Sequence, residues 1–269
     1  MIPHKVNTFL KRATYGVAKT VARPLGLYPF PRTHRRHLVD ILNRLQIDCI
    51  LDVGAHYGEF GQMLRELRFQ GHILSFEPVS ASFKLLEAAA KDDPKWRIFP
   101  FALGSSDGES TIHIFRSSDF NSLLSPAGIH DRFENCTEEL GVETIAVRRL
   151  DSVYEMCTKD IPSPRVFLKM DTQGYDLEVV RGGEGVLSKI LAIQSELPGV
   201  CHYSGQPQLC EALSHYWSQG YRPTGFFPVN HELDGITVTE WDCVLAKEAD
   251  ILSPAVPIAA VTQTISGNH

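Results

Sequence analysis

The feature that most constrains the fold of this chain is an apolar run that ends in a glycine-rich turn. Cys49–Val53 is apolar apart from Asp52, and the turn Gly54–Gly58 follows it with the sequence G-A-H-Y-G. The next residues, from Phe60 to Leu67, place apolar side chains at helical spacing. A buried strand, a tight turn and an amphipathic helix in this order indicate one unit of an α/β fold. Ligands of such folds bind at the carboxyl ends of the strands, where this turn lies.

The rest of the chain repeats this alternation of short apolar runs and helical segments. Six more runs are predicted strands: His72–Phe76, Trp96–Ala102, Val166–Met170, Ile190–Ser195, Tyr221–Phe227 and Thr237–Ala246. Alternating strands and helices favour a parallel sheet with helices on both faces. Because the last two strands are consecutive, we expect the last strand to be antiparallel. The predicted fold class is α/β, Rossmann-like, with a mostly parallel seven-stranded sheet.

The sequence predicts three parts in the chain. Residues 1–32 form a basic segment and a linker rich in Pro and Gly, 33–248 the α/β domain, and 249–269 a flexible tail. The domain carries a loop-rich insertion at about 105–148. We expect this insertion to cover an edge of the sheet, which is a common place for substrate contacts.

The N-terminal segment is basic although the whole chain has a net charge of −6. Residues 4–23 have the spacing of an amphipathic helix with Lys and Arg between the apolar positions. This pattern is typical of peripheral contact with an anionic membrane or a membrane-bound partner, of a helix packed on its own domain, or of a frayed terminus. No 18-residue apolar run or signal peptide is present, and the six cysteines form no CxxC pair. We therefore expect a cytoplasmic protein, at the membrane surface if the first interpretation holds.

The acid that precedes the glycine turn distinguishes this motif from the dinucleotide fingerprint G-x-G-x-x-G. Asp52 stands where the first glycine of that fingerprint would be. A carboxylate repels a pyrophosphate but favours a cationic ligand, and S-adenosylmethionine (SAM) carries an ammonium and a sulfonium. Gly54 and Gly58 let the backbone approach a ligand closely. We therefore predict that Asp52, Gly54, Ala55 and Gly58 bind the cofactor.

Two later motifs predict the rest of the cofactor site. Glu77, followed by Pro78, ends a predicted strand 23 residues after Gly54. An acid at this place accepts hydrogen bonds from both hydroxyls of a ribose. NAD and SAM both contain this ribose, so Glu77 does not choose between them. Ala102 ends the next predicted strand and Leu103 follows it, and a small residue at this place leaves room for an adenine ring.

The predicted strand Val166–Met170 leads into the candidate catalytic residues. Lys169 and Asp171 are two residues apart on an extended chain and therefore share a face. Asp171 is expected to lie beside the cofactor, where it could orient or deprotonate an acceptor hydroxyl, pair with Lys169 or bind a metal. Glu196 follows the neighbouring strand and is either part of the site or a structural carboxylate. No Cys/His group has zinc-site spacing, and we predict no metal site.

Contacts to the acceptor are expected from two loops, 116–140 and 197–206, whose conformation the sequence does not determine. The candidate residues for substrate contact are Asn121, Gln173, His202 and Tyr203. A single histidine in a loop is more often solvated than functional, so the alternative for His202 is a surface position.

These motifs, in this order and spacing, resemble the FkbM family of SAM-dependent methyltransferases over residues 38–246. The sharpest part of the resemblance is LKMDTQGYDLEVVRGG, residues 168–183. The resemblance implies a class I methyltransferase fold, SAM as cofactor and methyl transfer to a hydroxyl of a sugar or glycan, a glycolipid or a natural product.

The resemblance also implies roles for individual residues. Asp52, Gly54 and Gly58 would line the methionine end of SAM, and Glu77 would hold the ribose. Ala102 would lie beside the adenine and Asp171 near the point of transfer. The family more often has Glu at the position of Gln173, so a mechanism that needs a carboxylate there is in doubt for this chain.

Three other functions compete with this interpretation. An NAD-dependent oxidoreductase would need the dinucleotide fingerprint, and a non-catalytic SAM-binding or scaffold protein would bind the cofactor without turnover. A nucleic-acid methyltransferase would need a basic face, whereas residues 45–269 are acidic. We therefore expect a small-molecule or saccharide acceptor and no nucleic acid; the oligomeric state stays open.

Overall fold

The computed structural model describes residues 33–127, 138–231 and 235–252. The chain forms two compact units, Met1–Leu38 and Val39–His269. Of the first unit only 33–38 is described, which contains the start of helix α1 (His34–Arg44). The predicted basic helix at 4–23 lies outside the described residues, so its membrane contact stays a prediction.

A seven-stranded sheet forms the centre of the second unit. Its order is β3-β2-β1-β7-β8-β10-β9, and only β10 runs antiparallel to its neighbours. The strands are β1 (Cys49–Val53), β2 (His72–Phe76), β3 (Trp96–Phe99), β7 (Val166–Met170), β8 (Ile190–Pro198), β9 (Tyr221–His231) and β10 (Val238–Lys247). The mostly parallel sheet with an antiparallel last strand is thus confirmed.

Helices cover both faces of this sheet. Alternate residues of β1 and β7, such as Leu51 and Leu168, belong to the main core with side chains of α4 (Leu150–Thr158), α5 (Asp176–Arg181) and α6 (Leu209–Ser218). The opposite face lies under α2 (Glu59–Glu66) and α3 (Ser80–Ala90). Every residue of β1 and β7 is buried, which is why these strands are nearly continuous apolar runs.

A second, three-stranded sheet corrects the prediction of one long strand at Trp96–Ala102. The chain leaves the large sheet after Phe99, and β4 (Ala102–Leu103) pairs with β6 (Glu139–Arg148), which also pairs with β5 (Gly108–Phe115). Pro100 lies at the break, and it has no N–H to continue the ladder. The β5 and β6 strands belong to the region predicted as an insertion.

The C-terminal residues differ from the predicted tail at their start. Residues predicted to be flexible from 249 begin in a short helix, α7 (Glu248–Leu252), and the remainder, 253–269, lies outside the described residues. Within the described ranges no helix has the length and apolar character needed to cross a membrane.

Candidate functional site

The glycine turn joins the ends of β1, β2 and β7. Gly54 has a φ of 71°, and a Cβ there would lie 1.9 Å from the carbonyl oxygen of Asp171. The N–H groups of Gly54 and Ala55 both donate to the carbonyl of Phe76 at 3.1 Å. Gly58, with a φ of 89°, lies directly before the first residue of α2. Only glycine fits the first position, because the next strand's backbone occupies the space of a side chain.

Glu77 lies directly after β2 with its carboxylate held by main-chain donors. The N–H of His56 donates to Oε2 at 2.8 Å and that of Val79 donates to Oε1 at 2.9 Å. Burial raises the pKa of Glu77 to about 7, although both N–H donors act to lower it. Each oxygen of a carboxylate accepts more than one hydrogen bond. The carboxylate is therefore oriented and still able to accept two further donors.

A row of polar side chains crosses the buried face beneath this turn. Ser75, Asp52, Lys169 and Gln194 stand opposite one another on β2, β1, β7 and β8. The Ser75 hydroxyl donates to Asp52 Oδ2 at 2.9 Å, and Lys169 Nζ lies 3.2 Å from Asp52 Oδ1. Lys169 also donates to the carbonyl of Gly54 at 3.2 Å. The hydrogen bond from Lys169 thus connects this row to the glycine turn.

The ion pair between Lys169 and Asp52 changes what Asp52 indicates about the charge of the ligand. Asp52 is 0% exposed, and its partners are Lys169 and Ser75. Burial alone would lower the pKa of Lys169, but the charges of Asp52 and Asp171 outweigh it and the pKa is raised. Because Lys169 neutralises Asp52, this acid no longer distinguishes a cationic ligand from a pyrophosphate. Its cofactor role stays a prediction and rests on the turn that it precedes.

The two carboxylates predicted as catalytic lie on either side of Gln173. Its Nε2 donates to Asp171 Oδ1 and to Glu196 Oε2, each at 3.3 Å. Asp171 Oδ2 is also 3.5 Å from Lys169 Nζ, so the ion pair considered from the sequence is present. The hydroxyl of Tyr203 donates to Gln173 Oε1 at 2.8 Å. The structure therefore brings together Lys169, Asp171, Gln173, Glu196 and Tyr203.

Further acids surround Glu196 and set its charge state. Glu240 and Asp242 come from β10, where Asp242 stands opposite Glu196 in the sheet. Burial, followed by the charges of Asp171 and Glu240, raises the pKa of Glu196 well above its ordinary value. Burial raises the pKa of Glu240, while the hydrogen bond from Asn230 and the nearby charge of His202 act to lower it. No group of three or more His, Cys, Asp or Glu side chains in the described ranges has the arrangement of a metal site.

Residues 115–127, here called the crossing segment, connect the parts of the site. Ser118 Oγ lies 2.8 Å from His56 Nε2 and 2.7 Å from the Tyr57 hydroxyl oxygen. Ser122 Oγ donates to the carbonyl of Gln173 at 2.8 Å. At its far end the N–H of Ala127 donates to the carbonyl of His202 at 2.9 Å. The segment therefore spans from the glycine turn to the loop after β8.

Several predicted contact residues have structural partners. Asn121 turns its Oδ1 inward to accept the N–H of Phe115 at 2.9 Å. Ala102 packs in a small core with Val79 and Val147, and Leu103 is buried in the main core. The side chain of Ala102 is thus covered by its neighbours in the core, and its contact with an adenine stays a prediction. Pro78 is half-buried between Glu77 and Val79.

Asp176 is a site residue that the sequence analysis missed. Its Oδ1 accepts from the N–H and hydroxyl of Thr172, and its Oδ2 accepts from the Ser195 hydroxyl at 2.7 Å and the Glu196 N–H at 3.0 Å. It therefore fixes the loop after β7 to the end of β8. An acid at the first position of a helix is common, and it gave no signal for the loop and strand that Asp176 joins.

A sequence model of the Methyltransferase FkbM domain matches residues 52–223, well over half of the chain. The chain belongs to the FkbM methyltransferase family. Membership confirms the family resemblance, and with the strand order it confirms the class I methyltransferase fold. It also decides for methyl transfer against the NAD-dependent oxidoreductase.

Solved structures with similarity to this FkbM-family chain include three methyltransferases. An FkbM methyltransferase from Methylobacillus flagellatus KT is 17% identical with a TM-score of 0.44, and the match covers 74% of this chain and 43% of that one. An rRNA methylase from Streptococcus thermophilus is 9% identical, TM-score 0.41, covering 81% and 98%. A precorrin-6y C5,15-methyltransferase from Geobacter metallireducens GS-15 is 11% identical, TM-score 0.39, covering 80% and 90%. Among curated proteins, no sequence matches the chain.

Proposed function

We propose that the chain is a SAM-dependent O-methyltransferase that methylates a hydroxyl of a sugar or glycan, a glycolipid or a natural product. Family membership supports methyl transfer. The observation that supports a nucleoside cofactor is the carboxylate of Glu77, which main-chain N–H groups hold at the end of β2 with lone pairs left to accept the two hydroxyls of a ribose. Family membership, rather than Glu77, favours SAM over NAD. The glycine turn beside it leaves the backbone free of a Cβ at Gly54.

SAM would supply an electrophilic methyl group on its sulfonium. The chain's contribution is to hold an acceptor hydroxyl in line with that methyl, which is worth up to roughly 7–11 kcal/mol in well-oriented systems. As the oxygen gains the methyl group, its proton must leave. Asp171 and Glu196 are the bases beside the proposed transfer point, and the Gln173 amide keeps both in place. The proton would move to one of these carboxylates.

The charges around the proposed acceptor position support a hydroxyl-bearing molecule. The charges of Asp171, Glu240 and Asp242 all act on Glu196. Carboxylates accept hydrogen bonds from hydroxyl groups but repel phosphates. A polyhydroxylated acceptor fits this environment, whereas a nucleic-acid backbone does not.

Calorimetric titration tests the cofactor. We expect SAM to bind with micromolar affinity and NAD not to bind. Glu77→Gln should weaken SAM binding by at least about tenfold, because an amide accepts at only one of its two atoms. Glu87→Gln, an exposed Glu-to-Gln change in α3, is the matched control and should leave the affinity unchanged. Equal SAM affinities of the wild type and Glu77→Gln would overturn the assignment of Glu77.

The pH dependence of binding gives a second test of Glu77. A ribose donates to the ionised carboxylate, whose pKa without ligand is raised to about 7 by burial. SAM affinity should therefore fall as the pH is lowered from 8 to 6, with a slope that Glu77→Gln removes. The free energy of unfolding should change with pH in the opposite direction, falling between about pH 4 and pH 7 as the pH rises. Since the folded pKa lies above the unfolded value, the contribution of Glu77 to stability is complete below about pH 4 and is lost as the pH rises through 7.

Transfer of a labelled methyl group from SAM to a panel of sugars, glycolipids and polyketide-like alcohols tests the reaction. We expect a product whose methyl group resists alkaline hydrolysis, as an ether does and an ester does not. SAM binding without transfer to any acceptor would instead support the non-catalytic SAM-binding protein.

A further inference from the structure

We propose that Tyr203 is a positioning residue, which orients the Gln173 amide so that its NH2 group holds the carboxylates of Asp171 and Glu196 together. The inference rests on the proposed function, because it explains how the two candidate bases are kept at one acceptor hydroxyl. It assigns Tyr203 and Gln173 to the support of the bases rather than to contact with the acceptor.

The phenol determines which way the amide faces. Tyr203 is 4% exposed, and its hydroxyl oxygen is 2.8 Å from Gln173 Oε1 and 3.1 Å from the carbonyl oxygen of Phe120. The amide nitrogen faces the carboxylates of Asp171 and Glu196, and the amide oxygen faces the phenol. Donation of the single phenol proton to the amide oxygen stabilises this orientation of the amide.

The amide nitrogen has one proton for each carboxylate. Nε2 lies 3.3 Å from both Asp171 Oδ1 and Glu196 Oε2. A rotated amide would turn its oxygen toward two acids and lose both hydrogen bonds. The phenol can donate to the amide only when the amide oxygen faces it. By favouring that orientation, it keeps the amide NH2 group between the two carboxylates.

The main chain of Gln173 is fixed as well. Its φ of 53° lies in the left-handed region, where a residue with a side chain is held only by its surroundings. Ser122 Oγ donates to its carbonyl at 2.8 Å, and Gly174 follows with a φ of 87°. The crossing segment thus holds the backbone of Gln173 through Ser122 and its side chain through the contact of Tyr203 with Phe120.

The charges that face Glu196 show what the amide donors achieve. The acids are Asp171 after β7, Asp176 in α5, and Glu240 and Asp242 in β10. Burial and the charges of these four acids all disfavour a negative charge on Glu196. The hydrogen bond from Gln173 favours the ionised form of Glu196 against them. Without it, Glu196 would stay protonated to higher pH and would no longer accept a proton.

A carboxyl NMR titration of the full chain tests the inference without an acceptor. The protein is labelled with ¹³C at the side-chain carboxyl of Glu, and Glu196→Gln identifies the resonance of Glu196. We expect Tyr203→Phe to raise the titration midpoint of Glu196 by about half a pH unit, and Gln173→Leu by about one unit. Tyr221→Phe is the matched control, since this buried tyrosine also donates to main-chain carbonyls, those of Leu187 and Ile190. It should leave the midpoint unchanged.

The double variant separates positioning from simple packing. If Tyr203 acts through the amide, adding Tyr203→Phe to Gln173→Leu should produce no further shift. An unchanged midpoint in Tyr203→Phe, or equal added shifts in both backgrounds, would overturn the inference. Should Tyr203→Phe not fold, Gln173→Leu decides alone, since an unchanged midpoint there removes the proposed donors.

SAM affinity keeps this inference distinct from the proposed function. Both variants should bind SAM within about twofold of the wild type, because Glu77 and the glycine turn are intact. A protein that does not bind SAM but shows the midpoint shifts would contradict the proposed function alone.

Discussion

The two halves of the site are built in different ways. The glycine-turn side, Gly54–Gly58 with Glu77, is organised by main-chain N–H and C=O groups and by a missing Cβ. The carboxylate side, formed by Asp171, Glu196, Glu240 and Asp242, is organised by side chains such as Gln173 and by the crossing segment. The hydrogen bonds to Phe76 and Glu77 on the first side come from residues 54–79, whereas the second combines residues from separate strands and loops.

This difference indicates how each half should respond to amino-acid substitution. Main-chain groups are present at every residue, so the glycine-turn side depends on backbone shape more than on side-chain identity. The carboxylate side depends on particular amide and hydroxyl groups. A different acid at one of its positions could still accept a hydrogen bond from an acceptor hydroxyl. We therefore expect the glycine-turn side to fail abruptly on substitution and the carboxylate side to change its acid–base behaviour gradually.

The largest expected effect comes from Lys169, which supports both halves. Lys169→Met removes the cation from the fully buried Asp52 and should lower the free energy of unfolding by about 3–5 kcal/mol. Equilibrium unfolding in urea measures it. The double variant Asp52→Asn with Lys169→Met should recover most of the loss, since no buried charge then remains. Lys189→Met, which breaks a half-exposed pair with Glu155, should cost under about 1 kcal/mol.

If Lys169→Met is no more costly than Lys189→Met, the two halves do not share this buried support. The two halves would then be stabilised independently of each other.

Gly54→Ala tests the dependence of the glycine-turn side on backbone shape. The new Cβ would lie 1.9 Å from the Asp171 carbonyl oxygen, at a φ of 71°. We expect a loss of about 3 kcal/mol in unfolding free energy and of SAM binding in calorimetry. Gly220→Ala separates the two causes, because Gly220 has a φ of 82° with open space around it. That control should cost about 1 kcal/mol. Similar costs at both positions would show that close approach to β7 is unimportant.

How far the sequence predicts the site follows the same division. Strands β1, β2 and β7 were predicted to the residue, because buried apolar runs end at sharp polar or glycine positions. The glycine turn and Glu77 were found for the same reason. The sequence also placed Lys169 and Asp171 on one face, where both are ion-pair partners.

The missing parts depend on contacts between distant residues. That Lys169 neutralises Asp52 requires the order of β1 and β7, which no local pattern contains. The separate β4 strand could have been found from Pro100, which should have ended the strand prediction earlier. The roles of Ser118, Ser122 and Asp176 had no periodic signal, since single hydroxyl and carboxyl groups are common on loops and helix ends.

The smallest expected effect is at the link between the two halves. Ser118→Ala removes the contact of the crossing segment with His56 and Tyr57 and should cost about 1 kcal/mol. Hydrogen exchange of the amides in the crossing segment should become about fivefold faster, because local opening is easier by that amount. Ser214→Ala, which loses only a hydroxyl contact within α6, should leave these amides unchanged. Unchanged exchange in Ser118→Ala would mean that the two halves are linked elsewhere.

The crossing segment also bears on the order of events in folding. Ser118 meets His56 across 62 residues of chain, and Tyr203 meets Phe120 across 83. Contacts between residues so far apart close long loops and form slowly relative to local turns. We expect the hydrogen bonds between the glycine turn and the end of β2 to form before the two carboxylates meet, so that the proposed cofactor half of the site would assemble ahead of the proposed acceptor half.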